Sequence, residues 1–313
     1  MATIPAKATG PARPAEQDRG KDCFGRILSL FRFWHLASLD APTVAVAWGG
    51  AFAWAAHVRL AVWPLALLAL VVWALYIGDR LLDARAGLRN PLKSDLRERH
   101  HFHWRHRRIL APLAAVAGLA AAWIVRARVP AIALPQDSAV AAATLAYFSG
   151  VHSRFKLPAP LGRAMAAFGS RECLVGGLFT LGCGLPAWSA DPVGHGPASP
   201  LRLLMLPAVY FSALAWLNVR AITQWESENR KPLRLRLGRI ACGLAGAGAL
   251  VAAWLTPVQP RGAALLLTGA ASALLIGWLD RRRTSWSPLT LRVAVDLVLL
   301  TPLLLLAAAP LLR

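Results

Sequence analysis

The chain has 313 residues, of which 57% are hydrophobic and only 16% are charged, and its mean hydropathy is +0.48. Soluble domains contain about 25% charged residues and about 45–50% apolar ones, so the composition excludes a water-soluble protein and predicts an integral membrane protein. The 35 Lys and Arg residues outnumber the 15 Asp and Glu residues. They fall in the gaps between apolar segments, which favours membrane topology over a nucleic-acid-binding surface as their explanation.

The N-terminal part of the chain is predicted to lie outside the bilayer. Residues 1–22 are rich in Ala, Pro and charge, which predicts a disordered tail, and they lack the apolar core of a secretory signal. Residues 24–36 alternate apolar and basic positions at helical spacing, which predicts an amphipathic helix on the membrane surface. Residues 23–313 are predicted to form a single transmembrane helical domain.

Nine apolar segments follow, and each is close to the roughly 17–25 residues that a helix needs to cross the hydrocarbon core. We therefore predict an all-α integral membrane fold, a bundle of about nine transmembrane helices. Glycines such as Gly176, Gly243 and Gly246 suit close approach between these helices. The predicted spans lie near residues 41–58, 60–78, 109–125, 131–150, 164–188, 201–219, 240–257, 262–279 and 289–312.

The basic residues predict the orientation of this bundle. With the N-terminus in the cytosol, about 29 of the 35 Lys and Arg residues fall on the cytosolic side, as the positive-inside rule requires. This pattern, together with the absence of a targeting signal, favours a bacterial inner membrane. The polar site is then expected at the cytosolic face.

Two carboxylates follow the second predicted span. Asp79 and Asp83 are four residues apart, which places both on one face of a helix. Such a pair suits Mg²⁺, which takes few protein carboxylates and completes its shell with substrate phosphates. Arg80 beside them is suited to contact the same phosphates. The alternative is a pair of solvated acids that neutralise interfacial arginines.

A second polar group ends the sixth predicted span, and it includes Asn218, Arg220 and Glu226. The predicted topology puts it on the same side of the membrane as Asp79 and Asp83. The two groups are therefore candidates to face each other across a cavity in the bundle. The alternative is an ordinary polar loop.

Charged residues also interrupt the fifth and ninth spans. Arg171 and Glu172 are adjacent, and because neighbouring helical residues point in different directions we expect them to have separate partners. Arg292 and Asp296 are four residues apart, which predicts an ion pair within one helix.

The segment from Arg99 to Arg108 contains histidines three residues apart, a spacing compatible with metal ligands. The arginines in the same segment oppose a bound cation. They favour instead contact with phosphate or lipid headgroups, or a solvated basic helix.

Taken together, these motifs resemble those of the UbiA superfamily of membrane prenyltransferases. The segment from Asp79 to Asp83 is similar to the DRxxD half of the first aspartate-rich motif of that family. The segment from Leu217 to Arg220 resembles a reduced form of the second motif. The end of the family's fourth helix, a Tyr-Ser…Lys/Arg stretch, is resembled by Tyr147, Ser149, Arg154 and Lys156.

The resemblance implies a nine-helix enzyme that transfers a polyprenyl group from a prenyl diphosphate to an aromatic or lipid acceptor. It implies Mg²⁺ as cofactor and membrane lipids as surroundings; the acceptor, the prenyl chain length and the oligomeric state stay open. The implied catalytic and metal-binding residues are Asp79, Asp83, Asn218 and Glu226. The implied diphosphate-binding residues are Arg80, Arg154, Lys156 and Arg220.

The second motif contains no aspartate, and Leu75 and Tyr76 occupy the positions of the first motif's Asn-Asp pair. This departure leaves an alternative, a non-catalytic protein of the same fold that binds an isoprenoid or quinone. A CDP-alcohol phosphatidyltransferase fits less well, because Asp83-Ala84-Arg85 lacks the glycine and the second DxxxD of that group. A transporter is also less favoured, because no persuasive repeat relates the two halves of the chain.

Overall fold

The computed structural model describes residues 29–89, 98–152, 171–190, 200–227 and 237–308. All regular secondary structure in these ranges is helical, which confirms the predicted all-α class for this part of the chain. The twelve helices are α1 (29–36), α2 (Asp40–Ala55), α3 (Val62–Arg89), α4 (Glu98–Arg105), α5 (Arg107–Arg128), α6 (Leu134–His152), α7 (Arg171–Trp188), α8 (Pro200–Ser227), α9 (Leu237–Leu255), α10 (Pro260–Arg282), α11 (Pro288–Val298) and α12 (Pro302–Ala308).

Five of these helices are long and apolar enough to cross a membrane: α3, α5, α8, α9 and α10. The bent pair of α11 and α12 makes a sixth if it is counted as one span. The other predicted spans correspond to shorter or more polar helices, and α2 has only 16 residues. The predicted tail, residues 1–22, lies outside the described residues.

The surface helix predicted at residues 24–36 corresponds to α1, of which residues 29–36 are described. Leu30 and Phe33 are 67% and 59% exposed, so this helix presents apolar side chains outward. Arg32 forms an ion pair with Glu98 at the start of α4, so α1 is tied to the basic helix that follows α3.

The core of the bundle lies around α2, which packs against α3, α7, α8 and α10. The indole of Trp48 stacks on the ring of Phe211 from α8 with their centroids 3.8 Å apart, and Phe52 meets the same ring edge-on. All three side chains are almost fully buried. This aromatic contact fixes α2 against α8, and both helices carry residues of the polar cluster described below.

The last predicted span, residues 289–312, is broken rather than continuous. Pro302 has no N–H to donate and cannot continue the helix, so α11 ends at Val298 and α12 starts after a turn, at an angle of 40°. Neighbouring side chains satisfy the carbonyl groups released at the break: Ser272 donates to Val298 at 2.9 Å and the Trp48 indole to Leu299 at 2.9 Å. Such compensation is what makes a broken helix tolerable away from water.

The glycines differ in their surroundings. A Cβ at Gly176 would meet backbone atoms of Ser212 and Trp216 at 3.0 Å, so α7 and α8 approach closely there. A Cβ at Gly243 or Gly246 would meet nothing within 4 Å, and the prediction of close packing is wrong for these two residues among the described neighbours.

Candidate functional site

A tight turn brings the end of α1 against the start of α2. Ser38 in this turn has φ 56°, a left-handed conformation that is uncommon for a residue other than glycine. The turn places the His35 ring beside the carboxylate of Asp40, with Nδ1 2.7 Å from Oδ2. Both side chains are buried, at 3% and 2% exposure for the residues.

The carboxylate of Asp296 on α11 joins this pair. Its Oδ2 lies 3.7 Å from Nδ1 of His35, and its Oδ1 is 3.4 Å from the amide nitrogen of Asn218 on α8. Asn218 is itself buried. One carboxylate therefore links the N-terminal segment, the end of α8 and the last broken span. We call His35, Asp40, Asn218 and Asp296 the polar cluster.

Arg80 on α3 borders the polar cluster. It is 5% exposed, its guanidinium stacks 4.8 Å above the Tyr76 ring, and it lies within electrostatic range of Asp40. A buried arginine needs counter-charges and a face to pack against, and these neighbours supply both.

A charged triad lies next to the polar cluster. Oε1 of Glu226 on α8 accepts from Arg292 on α11 at 2.7 Å and from Arg99 on α4 at 3.3 Å. All three side chains are less than one-fifth exposed. The triad therefore fixes α4 and α11 against the end of α8.

His103 on α4 is fully buried and ties α4 to the α1–α2 turn. Its Nδ1 lies 2.7 Å from the Arg99 carbonyl and its Nε2 lies 3.0 Å from the Ser38 hydroxyl. Since a carbonyl can only accept, Nδ1 carries the proton and Nε2 accepts from Ser38. Both nitrogens are occupied, and His106 of the same segment likewise hydrogen-bonds Phe102 through Nδ1, so these hydrogen bonds explain two of the histidines without a metal.

The pKa values of the two buried histidines, His35 and His103, are shifted in opposite directions. Burial, reinforced by the positive charge of Arg80, lowers the pKa of His103 to about 4. Burial by itself also lowers the pKa of His35, but the carboxylates of Asp296 and Asp40 favour the imidazolium and raise the pKa above its ordinary value overall. The pair of carboxylates thus makes a strongly cation-attracting environment around His35.

The acid pair predicted from the first motif lies on α3, beside these groups. Asp79 and Asp83 are partly exposed, and both lie within electrostatic range of Arg80 and of Arg171 on α7. The guanidinium of Arg171 also donates to the Tyr147 hydroxyl at 3.1 Å.

The residues predicted from the second motif lie at the end of α8, as expected. Asn218 belongs to the polar cluster and Glu226 to the charged triad, while Arg220 donates to Glu172 on α7 at 3.3 Å. Arg171 and Glu172 thus have separate partners, as predicted. Arg154 and Lys156 lie outside the described residues.

One predicted pairing is wrong. Arg292 and Asp296 do not form the expected ion pair within α11: Arg292 donates to Glu226, and Asp296 accepts from Asn218 and faces His35. Contacts between helices outweigh the i,i+4 contact because burial leaves each charge dependent on a well-placed partner.

The sequence arguments missed His35 and Asp40 as site residues. Asp40 is a lone acid immediately before the first predicted span, and His35 lies within the amphipathic segment, so neither forms a motif. The available signal was the presence of ionisable residues at the membrane boundary and within span nine, which marks candidate sites in membrane proteins.

A cavity of about 130 Å³ opens beside the charged triad. It is lined by Ile222, Trp225, Glu226, Arg283, Trp286, Pro288, Leu291 and Arg292. Three charged side chains among apolar and aromatic ones give this cavity a mixed wall, which suits water or a small amphipathic ligand.

Comparisons with known proteins add no identification to this geometry. No protein-family model matches the chain. No curated protein and no solved structure matches it either.

Proposed function

We propose that the chain is a UbiA-like membrane prenyltransferase, which transfers a polyprenyl group from a prenyl diphosphate to an aromatic or lipid acceptor. The proposal includes a nine-helix bundle in a bacterial inner membrane, with the N-terminus and the polar site on the cytosolic side. The observation that carries it is that α3 and α8 both place residues at one polar region, which Asp40 of α2 connects. Arg80, between the two acids of α3, lies near Asp40, and Asp40 and Asn218 of α8 belong to the same polar cluster.

The acid pair of α3 fits the Mg²⁺ that this function implies. Asp79 and Asp83 share a helix face and are partly exposed, so their oxygens are accessible to a hydrated ion. When bound, Mg²⁺ would neutralise the diphosphate and stabilise its departure. The remaining contribution comes from cations of the chain, since Arg80 and Arg171 lie within electrostatic range of both acids and can hold the diphosphate oxygens.

Of the two proposed metal ligands on α8, one is suited to binding a second metal ion and the other is not. Asn218 offers an amide oxygen, whereas Glu226 is already neutralised by Arg99 and Arg292. In the proposed enzyme Asn218 and Glu226 complete the site, Glu226 by positioning the two arginines. Arg154, Lys156 and Arg220 remain proposed diphosphate ligands.

The experiment is diphosphate release by the detergent-purified protein, with prenyl diphosphates of several lengths, a membrane-lipid extract as acceptor pool, and Mg²⁺ or EDTA. Asp79→Asn and Asp83→Asn should each abolish Mg²⁺-dependent release. Asp137→Asn is the matched control, because Asp137 is also a helical acid but bonds to Ser189 at 2.6 Å, away from the polar region. Full release by both α3 variants would overturn the proposal.

A second candidate is a non-catalytic protein of the same fold that binds an isoprenoid or quinone. The engagement of Glu226 by two arginines favours it, because a neutralised carboxylate is a poor metal ligand. It predicts lipid binding that neither EDTA nor Asp83→Asn alters. Strict dependence of prenyl-diphosphate binding on Mg²⁺ would contradict it.

A further inference from the structure

Three side chains of the polar cluster hold potential metal-ligand atoms close to one another. His35, Asp40 and Asp296 each supply one such atom, and these atoms all lie within 4.8 Å of one another. Two distances are fixed more closely: Nδ1 of His35 is 2.7 Å from Asp40 and 3.7 Å from Asp296. The three residues come from α1, α2 and α11, so the bundle assembles the group rather than any local motif.

The direction of the His35 ring points to a shared ligand rather than to a simple hydrogen bond. In the described part of the chain neither ring nitrogen of His35 has a hydrogen-bond partner of acceptable geometry, although Asp40 is only 2.7 Å away. The carboxylate oxygen therefore lies away from the direction in which a proton on Nδ1 would point. Groups that bind a common ion direct their lone pairs at the ion and not at each other. Their atoms are then close together, but the angle between them is unfavourable for a hydrogen bond.

Asn218 supplies a second, independent indication. Its Oδ1 is buried with no hydrogen-bond partner among the described residues, while its Nδ2 reaches Asp296 at 3.4 Å. The residue is 7% exposed. A buried amide oxygen without a donor costs free energy, and a cation held by the neighbouring Asp296 carboxylate would satisfy it.

The arginines nearby share their positive charge among several acids. Arg292 is paired with Glu226 at 2.7 Å and also lies within electrostatic range of Asp296 and Asp40. Arg80 lies near Asp79 and Asp83 as well as Asp40. Asp40 and Asp296 together flank one imidazole, an arrangement that attracts further positive charge such as a bound cation.

We propose that His35, Asp40 and Asp296 bind a divalent transition-metal ion, with the amide oxygen of Asn218 as a further ligand. One imidazole nitrogen with carboxylate and amide oxygens suits Mn²⁺, Fe²⁺ or Zn²⁺, whereas Mg²⁺ takes oxygen ligands. Ligands about 2.0–2.2 Å from an ion lie roughly 3.0–3.5 Å apart, and the distances of 2.7 and 3.7 Å bracket that range. The site is separate from the Mg²⁺ proposed at Asp79 and Asp83.

Metal binding by the wild-type chain tests the site without any prenyl substrate, so the result is independent of the proposed function. The protein is purified in detergent without chelator and its metal content is measured by mass spectrometry. A chelator-stripped sample is then titrated with Co²⁺ in the presence of excess Mg²⁺ and followed by visible absorption. We expect about one Co²⁺ per chain with bands typical of mixed nitrogen and oxygen ligation. A wild-type protein that binds no Co²⁺ would overturn the proposal.

Two variants assign the site to its residues. His35→Ala and the isosteric Asp296→Asn should each lower Co²⁺ affinity by more than about tenfold, since even partners outside the coordination shell contribute that much. His106→Ala is the matched control, because its imidazole bonds to the Phe102 carbonyl at 2.8 Å, and it should keep wild-type affinity. Size-exclusion profiles establish that each variant folds. Folded His35→Ala and Asp296→Asn proteins with unchanged Co²⁺ affinity would contradict the assignment, as would an equal loss in His106→Ala.

Discussion

Arg292 donates a hydrogen bond of 2.7 Å to Glu226 across the interface between α11 and α8. The two side chains are 11% and 18% exposed, and Arg99 adds a third charge from α4 at 3.3 Å. The ion pair therefore connects α11, the first half of the last predicted span, to the helix that carries the second predicted motif. It makes Glu226 a structural residue whatever else Glu226 does.

This contact predicts a large loss of stability on neutralising Glu226. Glu226→Gln keeps the shape of the side chain but removes the carboxylate charge that two mostly buried guanidiniums contact, which costs roughly 1.5–3 kcal/mol. Thermal unfolding in detergent measures the loss as a lower midpoint. Glu98→Gln is the control: Glu98 and its partner Arg32 are 50% and 55% exposed, and the expected cost is about 1 kcal/mol or less. If the unfolding midpoint falls equally in the two variants, burial of the Glu226 ion pairs adds nothing to their contribution to stability.

The close approach of α7 and α8 predicts that an added methyl group at Gly176 is not tolerated. The Cβ of Gly176→Ala would lie 3.0 Å from backbone atoms of Ser212 and Trp216, which cannot rotate away as a side chain can. We expect a loss of about 1–3 kcal/mol in the free energy of unfolding.

Gly243→Ala is the matched control for this substitution, because a Cβ there meets nothing within 4 Å. Alanine has the higher helix propensity, so this variant should be neutral or stabilised by up to about 1 kcal/mol. Denaturant titration of both variants in the same detergent gives the comparison. A Gly176→Ala protein as stable as Gly243→Ala would show that α7 and α8 are further apart than described.

The helices were predictable from the sequence because a long apolar segment can be recognised from its local amino-acid composition alone. Each of the nine apolar segments contains, in its described part, a helix or a pair of helices. The break before Pro302 was not predicted, although proline is a recognised stop signal. Hydropathy does not register it, since the residues on both sides are apolar and the released carbonyls are satisfied by Ser272 and Trp48, which are distant in sequence.

The residues of the candidate site were predictable only where helical spacing relates residues that are close in the sequence. The four-residue spacing put Asp79 and Asp83 on one helix face, but the same rule gave the wrong partner for Arg292. Partners such as His35 and Asp296 are 261 positions apart, and only the packing of α1, α2 and α11 brings them together. No local pattern encodes that contact, so the polar cluster could not be deduced from the sequence.

The buried imidazole of His103 predicts that stability falls as the pH is lowered. The pKa of His103 is about 4 in the folded protein and about 6.5 when exposed, so between these values the unfolded state binds a proton that the folded state does not. The stability contributed by His103 is therefore fully present above pH 6.5 and is lost progressively as the pH falls towards 4. Protonation of Nε2 would also remove the acceptor for the Ser38 hydroxyl and loosen the α1–α2 turn.

Unfolding midpoints at pH 7.5 and pH 5 measure this effect. The wild-type protein should lose more stability between the two pH values than His103→Gln, whose side chain does not titrate. His101→Gln supplies the control, since His101 lies on the same helix with an exposed side chain, and we expect it to keep the wild-type pH dependence. If wild type and His103→Gln lose the same stability, the acid sensitivity of the protein comes from other groups, and the neutral, Nδ1-protonated form of His103 is not what holds α4 against the turn.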